Sequence, residues 1–104
     1  MNYAMTTRSY VDGAFTRKPG VTRYLKVEKI GAGFAVQILP LDTWLAEVLA
    51  AAGGHGVLLH VHGFNLEQHE TLARHELIAA GLAEHGFGGV VVSFDWPTNG
   101  ALFD

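Results

Sequence analysis

Two short segments of this chain, His60-Val61-His62-Gly63-Phe64-Asn65 and Ser93-Phe94-Asp95-Trp96-Pro97, carry the residues placed to do chemistry. Each follows an apolar run, Val57-Leu58-Leu59 for the first and Val90-Val91-Val92 for the second. Gly63 lets backbone come close to a bound group. A helix opening just after it would present unpaired N–H groups and the positive end of its dipole, a setting that stabilises a negative oxygen. Asp95 offers a carboxylate at the end of a strand, where an acid or nucleophile can sit. His60 and His62, two residues apart on a strand, face one side and can both reach a single metal ion. The serines are Ser9 and Ser93, and neither lies in a Gly-x-Ser-x-Gly setting.

These segments need elements to hold them. Residues 57–61 and 90–94 are short and apolar without alternation, as strands covered on both faces of a parallel sheet are. Between them the spacing predicts a helix, with Asn65 as N-cap and Gln68 at the third helical position. Leu66, Ala73, Leu77 and Ala80 form its apolar stripe, broadened by Leu72, Ala79 and Ala83, and Gly86 is its left-handed stop. Glu70 and Arg74 have the spacing of an ion pair along that helix. A strand, a helix and a second apolar strand make a βαβ unit.

Upstream, residues 21–29 alternate polar and apolar, Gly31-Ala32-Gly33 offers a turn, and residues 34–38 read as a second strand, so an antiparallel hairpin is expected. Asp42 is placed as N-cap of a short helix that carries Trp44, Leu45, Val48 and Leu49 and stops at Gly53-Gly54. Trp44 reads as a core anchor. Residues 1–20 read as a flexible N-terminal arm, with turn signals at Asp12-Gly13 and Pro19-Gly20. The expected fold class is α/β: three layers, with an antiparallel N-terminal hairpin leading into a parallel βαβ sheet.

Composition sets outer bounds. At 104 residues, with 49% apolar and 16% charged side chains, the chain has the make-up of one small folded domain. It has no cysteine, which excludes disulfides, thiolate metal sites and thiol nucleophiles. No stretch approaches the ~20 apolar residues of a membrane span, so a cytoplasmic protein that binds no membrane is the expectation. Residues 1–30 hold six bases (Arg8, Arg17, Lys18, Arg23, Lys26 and Lys29) against Asp12 and Glu28. They are dispersed and lack an aromatic-basic signature, so they read as a solvated face and no nucleic acid is expected. His55, His69, His75 and His85 read as solvated. No cofactor is expected.

At the two segments the chain resembles the α/β-hydrolases. It is similar to a little-studied bacterial branch that carries His-Gly-Phe/Tyr-Asn after one strand and Phe-x-Trp-Pro after the next. The resemblance implies the amino-terminal half of a serine hydrolase, with residues 21–104 forming a partial domain. It makes Gly63, Phe64 and Asn65 the oxyanion loop, the N–H of Phe64 or Asn65 being the donor. Trp96 and Pro97 would line the acyl pocket, and His62 and Asp95 read beside them as loop-orienting or pocket residues. It implies ester or acyl hydrolysis of a small ester-like substrate once the missing half supplies the nucleophile. No catalytic side chain is assigned, and this chain alone is expected to be inactive.

Two other readings stand beside it. A non-enzymatic interaction module, or an inert remnant, would associate with itself or a partner chain through an exposed edge strand, Val90-Val91-Val92-Ser93-Phe94. A metal-dependent hydrolase fragment would use His60 and His62.

Overall fold

The computed structural model describes residues 2–63 and 66–97. Its elements run β1 (Asn2–Val11), β2 (Ala14–Ile30), β3 (Gly33–Leu39), α1 (Leu41–Ala52), β4 (Val57–Val61), α2 (Gln68–Glu84) and β5 (Val90–Asp95). The five strands form one sheet in the order β3-β2-β1-β5-β4. β1 and β3 flank β2 antiparallel, while β5 runs parallel to both β1 and β4. The architecture is the α/β class expected, a mixed sheet with a helix on each face.

Both hairpins turn at glycine-bearing pairs marked in the sequence, whereas Pro19-Gly20, expected as a turn, lies within β2. Asp12 and Gly13, at φ 50° and 80°, join Val11 to Ala14, a two-residue turn that needs positive φ at both positions. Ile30 pairs with Gly33 across residues 31–32. α1 ends at Gly53, whose left-handed φ of 56° lets its N–H bond the Leu49 carbonyl at 3.3 Å. It begins two residues earlier than Asp42 as N-cap predicts: Pro40 is the N-cap, and its carbonyl accepts the Trp44 N–H at 2.9 Å. Asp42 sits in the first turn and accepts the Thr43 N–H at 2.9 Å.

The two faces of the sheet are built differently. On the α1 face Trp44, Val48 and Ala52 close over Tyr3, Leu39, Val90 and Val92, and the Trp44 indole N–H donates to the Leu25 carbonyl at 3.0 Å. At its margin Tyr3 Oη donates to Glu47 at 3.0 Å and Lys26 Nζ pairs with the same carboxylate at 2.9 Å. The hydrogen bonds from Lys26 and Tyr3 hold the Glu47 carboxyl below its ordinary range. On the α2 face the apolar cluster is smaller, Ala4, Leu25, Val27 and Leu72, and beside it the strands bury Thr6, Arg8, Ser93 and Asp95.

Several expectations are corrected. Residues 2–11 are no arm: they form the middle strand of the sheet, with Ala4 and Thr6 fully buried. β5 is interior rather than an exposed edge, because it returns between β1 and β4 and is buried along most of its length. The free apolar edge is β4, where Val57, Leu59 and Val61 are each about half exposed. Of the broadened apolar stripe expected for it, α2 turns Leu72 inward but rotates the stripe's centre out to solvent. It buries Thr71, Leu72 and His75, whereas Leu77 is 74% exposed and Ala73 and Ala80 are exposed. The strands beneath it present hydroxyl, guanidinium and carboxylate groups, and only polar helix residues can satisfy those.

Candidate functional site

β4 and β5 run parallel, so their carboxyl ends open on one edge of the sheet, and β1, parallel to β5, passes that edge and runs on to Val11. Open α/β sheets place ligands at such an edge. His62 follows β4 and Trp96 follows β5. Their rings stack with centroids 5.0 Å apart and planes 5° from parallel. The Trp96 indole N–H donates to the His62 carbonyl at 3.1 Å. His62 Nδ1 contacts the Gly63 carbonyl. Its Nε2 lies against the Trp96 backbone, 2.9 Å from the carbonyl and 3.0 Å from the N–H. One histidine thereby laces the two strand ends together.

Beneath that stack lies a buried ion pair. Arg8 Nε donates to Asp95 Oδ1 at 2.8 Å, with Arg8 1% and Asp95 0% exposed. Asp95 Oδ2 accepts from Thr6 Oγ1 at 2.9 Å and from Gln68 Nε2 at 3.0 Å. His62 Nε2 lies 3.7 Å from Oδ1. Every oxygen of this carboxylate is engaged and none meets solvent. Its geometry is that of an anchor joining β1, β5 and the first turn of α2, and that environment argues against a nucleophile or a free acid.

A second buried chain runs along β5. Ser93 Oγ lies 3.0 Å from His60 Nδ1 and 2.7 Å from His75 Nδ1. Asn2 Nδ2 donates to Glu76, which leaves Asn2 Oδ1 to accept from His75 Nε2 at 3.2 Å. His75 Nε2 therefore holds the proton, Ser93 donates to His75 Nδ1, and His60 donates to Ser93. Burial pushes His75 down to about 4, with a smaller push from His60. Burial also lowers His60, and His62 and Arg74 add to it. The expectation that His75 is solvated is thus corrected: it is 2% exposed, because Ser93 and Asn2 give its ring partners inside the fold.

Of the residues singled out from sequence, His62, Asp95 and Trp96 come together at one edge, with Gly63 and Pro97 beside them. Phe64 and Asn65 lie outside the described residues. The start of α2 falls at Gln68 with Glu67 as N-cap, so the cap expected at Asn65 is displaced. Glu70 turns its carboxylate back to the Glu67 N–H at 3.1 Å, the reach of a capping box, instead of forward to Arg74. Both ring nitrogens of His62 are taken by backbone groups, so His60 and His62 do not present a shared pair of ligand atoms. Among the described residues the group that could surround an ion is Glu67, His69 and Glu70, all exposed. Sequence reasoning missed Arg8, Thr6, Gln68 and His75. The one available signal was polar residues at alternating positions of a strand (Thr6, Arg8), which passes for solvent exposure. Ser93 is fully buried within β5 and Ser9 Oγ contacts Thr16 Oγ1 on the hairpin, so neither is presented as a nucleophile.

The chain matches a family described as alpha/beta hydrolase of unknown function (DUF900) over residues 40–104, which is α1, β4, α2 and β5 with the segments between and after them. No curated protein and no solved structure matches it. Among the described residues no helix is long and apolar enough to cross a membrane.

Proposed function

The chain belongs to this family of alpha/beta hydrolases, and from that premise we propose that it supplies the oxyanion loop and pocket wall of a serine-dependent ester or acyl hydrolase. The observation that supports this most is the lacing of the β4 and β5 ends by His62 and Trp96. It fixes Gly63 beside the carboxyl ends of the strands, ahead of the helix start at Gln68. The substrate carbonyl would lie against the N–H groups of Phe64 or Asn65. As a serine adds to that carbonyl, negative charge grows on its oxygen, and N–H donors fixed in advance stabilise it without reorganising. Trp96 and Pro97 would flank the acyl group. The nucleophile belongs to a Gly-x-Ser-x-Gly segment, which residues 1–104 do not contain.

A second reading rests on β4. Its edge backbone and the exposed Val57, Leu59 and Val61 offer another strand a place to pair. An interaction module without catalysis would use that edge, whereas the hydrolase reading puts there a strand of the segment that bears the serine.

Reading the coding frame through and past the Asp104 codon, and isolating the native product with whatever it binds, separates the two. The hydrolase reading expects a Gly-x-Ser-x-Gly serine that reacts with a fluorophosphonate, on the same polypeptide or on one that co-purifies. A native product lacking such a serine on either would contradict it.

A further inference from the structure

We infer that Arg8 is a positioning residue for the strand-end loops on which the proposed oxyanion site depends. The inference rests on that reading for its functional meaning and on geometry for its content. Arg8 comes from β1, outside the residues that match the family, yet its donors reach both loops. Nη2 donates to the Leu66 carbonyl at 2.6 Å and to the Trp96 carbonyl at 3.3 Å. Nε pairs with Asp95 at 2.8 Å and Nη1 reaches the Thr16 carbonyl at 3.4 Å. β1 shifts its register against β2 on both sides of Arg8, and irregularities of that kind re-aim a side chain.

A space-filling role does not call for arginine. Burying a guanidinium carries a large desolvation cost, and an apolar side chain of similar volume would fill the same space without it. What arginine adds is a rigid planar fork with five donors, able to hold a carboxylate and several carbonyls in one fixed arrangement. A lysine ammonium gathers its donors at one point and cannot span them. Drawing the Leu66 carbonyl onto Nη2 also orients its peptide plane: the N–H on the far side, that of Glu67, meets the Glu70 carboxylate at 3.1 Å. The exit of the loop and the first turn of α2 are set together. The guanidinium has an electrostatic part as well. Asp95 unpaired would place a negative charge beside a site meant to stabilise a negative oxygen, and Arg8 leaves the pair neutral.

The two tryptophans provide the test. Each indole N–H donates to a backbone carbonyl, Trp44 to Leu25 in the α1 core and Trp96 to His62 in the loop. Two-dimensional ¹H–¹⁵N NMR of Arg8→Lys reads both resonances at once. The expected result is an unmoved Trp44 indole and a Trp96 indole that shifts and exchanges faster with water. A Trp96 resonance unchanged in the folded Arg8→Lys protein would overturn the proposal. If Arg8→Lys does not fold, Arg8→Met combined with Asp95→Leu removes both buried charges, and the same split between the two indoles is expected. Loss or movement of both resonances together in both variants would mark Arg8 as a general core residue and also overturn it. This readout does not depend on turnover, so a protein that hydrolyses no ester would contradict the proposed function and leave the positioning role standing.

Discussion

His75 of α2 and Ser93 of β5 meet in the interior, the histidine Nδ1 lying 2.7 Å from the serine hydroxyl. The consequence is a defined dependence on pH. His75 has a folded-state value of about 4, well below the ordinary histidine value of 6.5, because burial penalises its charged ring and His60 adds a smaller push. The unfolded chain therefore binds more protons between these values, and stability falls as pH drops from about 6.5 to about 4. Above that window the contribution is fully present. Its size is on the order of 3 kcal/mol, at roughly 1.4 kcal/mol per pH unit, and the lowered value of His60 acts in the same direction. Urea unfolding at a series of pH values should follow this slope, and His75→Gln should flatten it. A slope left intact in His75→Gln would show that another group carries it.

At the scale of elements, α2 teaches the most. Its apolar spacing nominates a stripe that carries both Leu72 and Leu77, while the fold buries Leu72 together with Thr71 and His75 and leaves Leu77 exposed. Hydrophobic periodicity assumes an apolar partner surface. Here the partner is the polar strip of Thr6, Arg8, Ser93 and Asp95, and the helix answers it with Gln68, Thr71 and His75. Leu72→Ala should cost about 2–4 kcal/mol, as a cavity in a packed cluster does. Leu77→Ala should stay within about 0.5 kcal/mol. Equal costs in denaturant unfolding would mean that the helix is turned the other way. Other boundaries were readable because local backbone chemistry dictates them. Gly86, at φ 92°, closes α2 with its N–H on the Ala83 carbonyl at 3.1 Å and the Phe87 N–H on Leu82 at 2.9 Å.

At the scale of the whole molecule, the α/β class, the β2–β3 hairpin, α1 and the βαβ unit could all be read from pattern and turn residues. The order of strands could not. Residues 57–61 and 90–94 are both apolar runs, and only the return of β5 between β1 and β4 makes one interior and the other an edge. β1 escaped notice because Thr6 and Arg8 are polar residues facing a polar interior, which alternation cannot distinguish from solvent. The strand ends were readable because glycine, histidine and tryptophan at those positions report a loop at the carboxyl edge of the sheet. The clasp beneath them was not, since Arg8 and Asp95 are 87 residues apart and nothing local links them. In the proposed function the loop around Gly63, Phe64 and Asn65 stabilises an oxyanion, and removing its N–H donors tests that role. In the complete serine-bearing product, p-nitrophenyl acetate hydrolysis should lose about 10²–10³-fold in kcat, with KM little changed, in one of the variants Phe64→Pro and Asn65→Pro. Hydrolysis at the parent rate in both variants, with the Trp44 resonance confirming that they fold, would contradict the account.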